Sequence, residues 1–416
     1  MPEAEQTRPR PRRGRPPGNR RALILREAAR LFHERGFHGT SIIQIGAAAG
    51  VKGPTVYRHF PDKNAVLVAL IEQSAERSEA EIAEIVREGG SPREVLERLV
   101  HAQVRQAVDD GPLSAVAARE LRSLSPETSE PLLRRGRDNL QEWVRRIVGA
   151  RPELTEDEAR ALAVGAKWLI FTVATGHVGL DDHLLHRLIV HMALALLLPG
   201  RTHRAPAAPA LAVAPSPLAD GDRRELIIRE AARLFVEKGY HATGMDEIGE
   251  AVGVTGPALY HHVKGKDELL LAVLQAEADR AEAEVAETYV VDGPAERLLE
   301  ALVRRRVRRA LTDAHLMAVA ERESYGLPPR RRQALLRRRR LNHEEWAHLV
   351  SESRSDLSDP EARALVDGVR ALIFGLVMSG TSLVGDRLEA MTLDAALAVL
   401  FPAETGDAVD RTRFRG

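Results

Sequence analysis

Apolar residues recur along this chain at helical spacing. Ile24, Ala28, Leu31 and Phe32 fall at i, i+4, i+7 and i+8, the stripe of a first helix that Gly36 ends. Thr40 and Ser41 are N-cap candidates for a short second helix with Ile42, Ile45, Gly46 and Ala49 on one face. Gly50-Val51 makes a turn, and Pro54 suits the first turn of a third helix, where its missing N–H costs nothing. Two short helices joined by a tight glycine-containing turn form the helix-turn-helix pattern. A long helix is predicted from near Asp62, then helices over roughly 91–111, 113–123, 128–149, 157–179 and 182–198. The last two carry wide apolar stripes: Leu162, Gly165, Ala166, Leu169, Ile170 and Val173, then Leu185, Leu188, Ile189, Met192 and Leu196. Such stripes require a core or an interface.

The whole pattern occurs twice. Ala28 matches Ala231, and the same offset of 203 aligns Phe32 with Phe235, Gly36 with Gly239, Thr40 with Thr243, Tyr57 with Tyr260 and Lys63 with Lys266. Far downstream, Trp143 still meets Trp346, and Glu158-Ala159-Arg160-Ala161-Leu162 meets Glu361-Ala362-Arg363-Ala364-Leu365. One constant offset over such a span means nearly gapless tandem duplication of a unit of about 200 residues. Residues 365–376 and 388–400 supply partner stripes for the apolar C-terminal helices of the first copy. The expected organisation is a disordered basic arm over 1–21, a first helix-turn-helix domain over 22–67 and a first helical regulatory domain over 68–200. A Pro/Ala-rich linker follows over 201–221, then a second helix-turn-helix domain over 222–270, a second regulatory domain over 271–402 and a tail over 403–416.

Composition supports an all-α chain, rich in Ala, Leu, Glu and Arg and only 4% aromatic. The absence of cysteine excludes disulfide scaffolds and thiolate metal sites and fits a reducing cytoplasm. No apolar run reaches the length of a membrane span, and the Arg/Pro-rich N-terminus lacks the apolar centre of a secretory signal. A cytoplasmic location is expected. The 60 Lys and Arg balance the 60 Asp and Glu, so local patches decide any phosphate binding. One patch is the arm, with seven arginines between Arg8 and Arg21. Arg13-Gly14-Arg15-Pro16 resembles the core of an AT-hook, which would place Arg13 and Arg15 in an A·T-rich minor groove. The plainer reading is a solvated tail held near DNA by charge.

Phe37-x-x-Thr40, Ile45-Gly46-x-Ala48-x-Gly50-Val51 and Tyr57-x-His59-Phe60-x-x-Lys63 resemble the DNA-binding domain of the TetR family of bacterial repressors. Tyr260-x-His262-Val263-x-x-Lys266 in the second copy resembles it as closely. The resemblance implies an all-α fold of two such units, each a three-helix DNA-binding domain followed by a helical ligand-binding and dimerisation domain. The chemistry can be argued without it. Hydroxyls and helix N-termini donate to phosphates, and lysine supplies counter-charge. Thr40, Tyr57, His59 and Lys63, with Thr243, Tyr260, His262 and Lys266, are therefore candidate phosphate contacts. The alternative for Tyr57 and Tyr260 is to pack the third helix onto the first. Base readout is expected from Lys52, Thr55 and Arg58 and from Thr255, Ala258 and His261. Arg or Lys addresses guanine O6/N7, and a Thr or Ala methyl contacts thymine. The two sets differ, so an operator with unequal halves is expected.

The resemblance further implies that the two C-terminal helices of each unit form a four-helix bundle. Here that bundle can close within one chain as a pseudo-dimer; two chains presenting four heads is the alternative. An extended Pro-rich linker of about 22 residues reaches roughly 65 Å, enough to join the bundle of one copy to the head of the next. The family also implies a small-molecule effector that releases DNA, which requires different affinities for two states. Trp143, Trp168, Phe171 and His177, and Trp346, Phe374 and Met378, are candidate lining residues, with ordinary core as the alternative. The second copy carries Arg304, Arg305, Arg306, Arg308 and Arg309, then Arg337 to Arg340. Beside an apolar cavity this cluster suits a small hydrophobic or amphipathic effector, acyl-CoA among them; a solvated helix face paired with nearby acids is the other reading.

No cofactor and no metal are expected. Glu345-x-x-His348 has the spacing of a helical metal pair, but its duplicate reads Glu142-x-x-Arg145. Without cysteine, a Gly-rich phosphate loop or a nucleophile elbow, an enzyme is not expected either. The expected function is a transcriptional regulator, most simply a repressor, with an effector-independent architectural DNA-binding protein as the alternative.

Overall fold

The computed structural model describes residues 17–37, 39–109, 111, 124–176, 179–198, 223–254, 259–260, 263–322 and 329–402. Among them every regular element is a helix. The first copy supplies α1 (Pro17–Arg35), α2 (Ile42–Ala48), α3 (Gly53–His59), α4 (Lys63–Glu88), α5 (Pro92–Asp109), α6 (Pro126–Ala150), α7 (Glu156–Gly176) and α8 (Asp182–Leu197). The second supplies α9 (Arg223–Lys238), α10 (Met245–Ala251), α11 (Lys266–Thr288), α12 (Ala295–Thr312), α13 (Ala314–Arg322), α14 (Pro329–Ser353), α15 (Asp359–Val377) and α16 (Gly385–Leu400). Six helix pairs start at repeat-equivalent residues: Ile42 and Met245, Lys63 and Lys266, Pro92 and Ala295, Pro126 and Pro329, Glu156 and Asp359, Asp182 and Gly385. The duplication is thus one of structure as well as of sequence. α1 begins at Pro17, inside the stretch expected to be an arm. A proline there is compatible with helix, because the first-turn N–H has no intrahelical partner to lose.

The chain divides into two compact units, one from residues 1–80 and 110–136, the other from residues 81–109 and 137–416. In the first unit Ile24, Ala28, Leu31 and Phe32 of α1 are buried with Ile42 and Ile45 of α2, Val56 of α3, and Val66, Leu67 and Leu70 of α4. The α2–α3 turn needs Gly50 at φ +66°, and its equivalent needs Gly253 at +69°, a left-handed backbone that glycine adopts without steric cost. Gly46 answers a different constraint. A Cβ there would lie 3.0 Å from Val56 Cγ2 and 3.1 Å from Val51 O, so α2 and α3 can cross only because it has none.

In the second unit Ile227, Ala231, Leu234, Phe235, Ile248, Leu259 and Leu269 form the corresponding head core. A separate, larger core is shared by the two copies. There α7 packs along α15, flanked by α8 and α16. The contact is reciprocal. A Cβ on Gly165 would come 2.7 Å from Leu372 Cδ1, and one on Gly368 would come 3.4 Å from Leu169 Cγ. Gly165 and Gly368 are repeat equivalents, and so are Leu169 and Leu372. Such i-to-j and j-to-i contacts are what a two-fold interface between identical patches produces. Trp168 also meets Phe374 edge to face at 5.1 Å, beside Gly375, whose own Cβ would stand 2.9 Å from Trp168 Cβ. Among the described residues no helix is long and apolar enough to cross a membrane.

Gly375→Val must push Trp168 out of place, and overpacking of this kind costs about 1–3 kcal/mol. Gly136→Ala, at an exposed position within α6 with nothing near a new Cβ, should instead stabilise by about 0.5–1 kcal/mol. Denaturant midpoints of the two variants will move in opposite directions; an unchanged midpoint for Gly375→Val would contradict the close approach.

Candidate nucleic-acid interface

Ser41 caps α2. The Gln44 N–H donates to Ser41 Oγ at 3.3 Å, and the Ser41 N–H donates to Gln44 Oε1 at 2.8 Å, a reciprocal capping box. Thr40, the other cap candidate, is only 2% exposed. Its Oγ1 donates to Gly36 O at 2.9 Å and Leu31 O at 3.2 Å. Thr243 is equally buried and donates to Gly239 O at 2.9 Å and Leu234 O at 3.2 Å. In each copy the threonine expected at a phosphate thus has its hydroxyl engaged at the end of the first helix. A hydroxyl has one proton to give, and here the end of the first helix takes it.

The lysines expected at phosphates are also tied inward. Lys63 Nζ donates to Phe37 O at 2.7 Å and lies 4.2 Å from the Phe37 ring centre. Lys266 Nζ donates to Thr243 O at 2.8 Å and His241 O at 3.0 Å, over the Tyr240 ring at 4.7 Å. In each copy the first residue of the fourth helix thus staples the loop that precedes the second. The threonine and the lysine hold that loop from two sides.

What remains outward is narrower and better defined. Tyr57 and Tyr260 are 54% and 52% exposed, which removes the packing role considered for them. On α3, Val56 faces the core, Thr55 and His59 are half-buried, and Lys52, Tyr57 and Arg58 are exposed. Ser41, Ile43 and Gln44 of α2 are exposed as well, a contribution that sequence reading missed. Thr255, Ala258, His261 and His262 lie outside the described residues, as do Arg13, Arg15 and His177. The two heads differ in charge. Residues 20–63 carry eight Lys and Arg against three Asp and Glu, whereas 223–266 carry seven against six. Asp246 and Glu247 start α10 where Ile43 and Gln44 start α2.

The expected effector-lining residues that are described make other contacts or lie off the wall of the cavity in the second unit. Trp143 and Trp346 are 1% exposed, packed under Lys167 at 4.7 Å and Arg370 at 6.0 Å. Trp168 and Phe374 are spent on the contact between copies, and Phe171 is half-buried. The second unit does contain a cavity, of about 60 Å³, but Trp346, Phe374 and Met378 are not on its wall. Its wall is apolar and charged together: Leu274, Glu277 and Ala281 of α11, Arg306 of α12, Glu321 of α13, Leu335, Arg338, Arg339 and Asn342 of α14, and Arg370 of α15. The arginine cluster is therefore only partly a solvated face. Arg306 is 4% exposed, and Arg309 pairs with Glu277 at 3.0 Å inside the unit. The missed signal was periodic: Arg306 sits at i+3 and i+4 from the buried Val303 and Leu302.

The family model for bacterial regulatory proteins of the tetR family matches residues 24–70 and again residues 227–273. The chain is 50% identical over 58 residues to the HTH-type transcriptional activator FasR of Mycolicibacterium smegmatis, covering 14% of this chain and 26% of that one. It is 34% identical over 134 residues to the HTH-type transcriptional regulator EthR of the same organism, covering 31% of this chain and 61% of that one. The chain thus spans less than two thirds of either relative. A crystal structure of a TetR-family transcriptional regulator from Bordetella parapertussis aligns with a TM-score of 0.41 at 18% identity, over 44% of this chain and 96% of that one.

The geometry separates two kinds of substitution. Thr40→Val strands the Gly36 and Leu31 carbonyls and should destabilise the protein by about 1–3 kcal/mol. Tyr57→Ala should leave unfolding unchanged but weaken DNA binding by about tenfold, the worth of one hydrogen bond to a charged group. Melting curves and DNA titrations of both variants check this, and a destabilised Tyr57→Ala would contradict it. With the same helix-turn-helix domain matched at two positions 203 residues apart and folded around equivalent cores, the chain belongs to the TetR family of bacterial regulatory proteins and carries its DNA-binding domain twice.

Proposed function

We propose that the protein is a sequence-specific transcriptional regulator in which the two repeats form an intrachain pseudo-dimer on DNA. Repression released by a small hydrophobic or amphipathic effector is the mode we favour, in the cytoplasm. The observation that carries this reading is the reciprocal packing of Gly165 against Leu372 and Gly368 against Leu169. A TetR-type dimer needs a self-complementary helical patch on each partner. Here both patches belong to one chain and lie against each other.

The two half-sites are unequal on this reading. Lys52, Thr55 and Arg58 read the first, and Thr255, Ala258 and His261 read the second. Phosphates are met by Tyr57 and His59 and by Tyr260 and His262, while Lys63 and Lys266 act by fixing the loop before α2 and α10. The acidic start of α10 makes the second head the weaker partner for phosphate, because an anion at a helix N-terminus competes for the same partial charge.

The effector response is supported by what α11 carries. Lys266 at its start staples the loop of the second head, and Glu277 on the same helix lines the cavity. Arg280, one turn further, pairs with Glu225 of α9 and faces Asp313 at 3.5 Å. A ligand with different affinity for two positions of α11 therefore has a route to the head. An effector-independent architectural protein would have no use for a charged cavity.

Sedimentation or native mass measurement of the complex with selected DNA tests the pseudo-dimer. One chain per operator is expected, and replacing the second half-site by a copy of the first should lower affinity. Two chains per operator would overturn the intrachain arrangement and leave the family assignment intact.

A further inference from the structure

The two regulatory domains share one inner constellation and differ in how it is satisfied. Asn139, Trp143 and Lys167 of the first copy are the repeat equivalents of Asn342, Trp346 and Arg370 of the second. In the first, Lys167 Nζ donates to Asn139 Oδ1 at 2.8 Å and Gln103 Oε1 at 3.2 Å and lies over the Trp143 ring. Burial pulls this ammonium down to about 8. Two amide oxygens and a ring face thus cage the cation.

In the second copy the cage is broken. The residue equivalent to Gln103 is Arg306, which cannot accept a hydrogen bond. Arg370 donates to Asn342 Oδ1 at 3.0 Å and has no carboxylate within ion-pair distance among the described residues. Arg306 is 4% exposed, reaches Glu277 only at 3.7 Å, and its Nε–H has no partner. Two further arginines on the wall are matched: Arg338 by Asp279 and Glu282, both at 2.6 Å, and Arg339 by Glu321. The cavity of about 60 Å³ lies against these groups, with Leu274, Ala281, Leu335 and Leu336 on its apolar side.

We propose that this cavity binds an aliphatic monocarboxylate, its carboxylate held by Arg370 and Arg306 and its chain laid along Leu274, Leu335 and Leu336, and that the caged first copy does not bind it. The inference rests on the effector reading above and names the ligand class. A single anionic charge answers Arg370, which has no carboxylate within ion-pair distance among the described residues. Planar guanidinium forks match a carboxylate in shape as well as charge. A coenzyme A thioester fits poorly: its charge is on several phosphates, which Glu277 and Glu321 on the wall would repel, and its head far exceeds the space.

Calorimetric titration of the full chain without DNA, using propionate as a probe of a size the cavity can hold, tests the site independently of repression. Binding of one propionate per chain is expected. Arg370→Gln and Arg306→Gln should each weaken it by about tenfold or more, the loss of a charge-assisted pair. Lys167→Gln should leave it unchanged, and propionamide should bind at least about tenfold more weakly than propionate. Far-UV dichroism and DNA affinity of each variant at the unsubstituted level show that the loss is not unfolding. Absence of propionate binding at millimolar concentration, equal binding of propionamide, two molecules per chain, or insensitivity to Arg370→Gln would each overturn the proposal. Propionate binding with no effect on DNA affinity would overturn the effector reading while leaving the carboxylate site in place.

Discussion

The approach of α7 to α15 at Gly165 and Gly368 is the constraint on which the rest of the paired structure depends. A glycine inside a helix costs about 1 kcal/mol relative to alanine, so two at equivalent positions need a return. The return is burial: Leu169, Leu372, Val173 and Met192 are at most 1% exposed around them. Because the two glycines face each other's leucines, one sequence patch serves both sides of the contact. A duplicated chain inherits such an interface complete. No new complementary surface has to be built, and later substitutions such as Trp168 against Phe374 and Gly375 can make the two sides unlike.

Much of this was legible in the sequence, for local reasons. Helical spacing, glycine turns and a constant offset are properties of neighbouring residues, and six helix pairs begin where the offset puts them. The apolar stripes of α7, α8, α15 and α16 were legible as an interface because nothing else buries a helix so wide in its apolar face. What was not legible is tertiary. Thr40 and Thr243 look like phosphate donors from their place before a helix, yet burial gives their protons to carbonyls nine and four residues earlier. Lys63 and Lys266 look like counter-charges, yet a ring and loop carbonyls lie within reach. The aromatic residues looked like a cavity lining because aromatics often are; here they fill contacts, and the cavity is marked by Arg306 and Arg370. That signal needed two steps, the apolar period of α12 and the comparison of Lys167 with Arg370.

The two copies have diverged in opposite directions. The first has the more basic head and an interior with one buried cation, Lys167, among Gln103, Gln106 and Gly136. The second has the less basic head and carries Arg306, Arg309 and Arg339 at the equivalent positions. Charges inside a protein are costly unless paired, and replacing them by apolar residues is often neutral or stabilising. Glu284, 5% exposed, shows the strain: burial raises its carboxyl pKa, and the neighbouring Arg309 opposes the rise. A network of this kind in one copy alone is not required by the fold, since the other copy folds around amides. Such a network is what the proposed ligand site would require of the second copy, and stability alone does not require it.

That asymmetry bears on how one chain can be switched. In a symmetric dimer two ligands must move two heads. In this chain the cavity wall, the Arg280–Glu225 pair and the Lys266 staple all lie along α11, in the unit that also holds the second head. Displacing one head of a covalent pair removes the gain in effective concentration that a tethered second site supplies, which can be a factor of 10² or more. On the proposed effector reading, the less basic head has the smaller share of phosphate attraction to lose, so a modest ligand-binding energy would be enough to lift it. Loss of the second contact would then reduce the complex to a single head on a half-site. Sensing in one copy would suffice for release on that reading, and the interior of the first copy would be free to stay closed around Lys167.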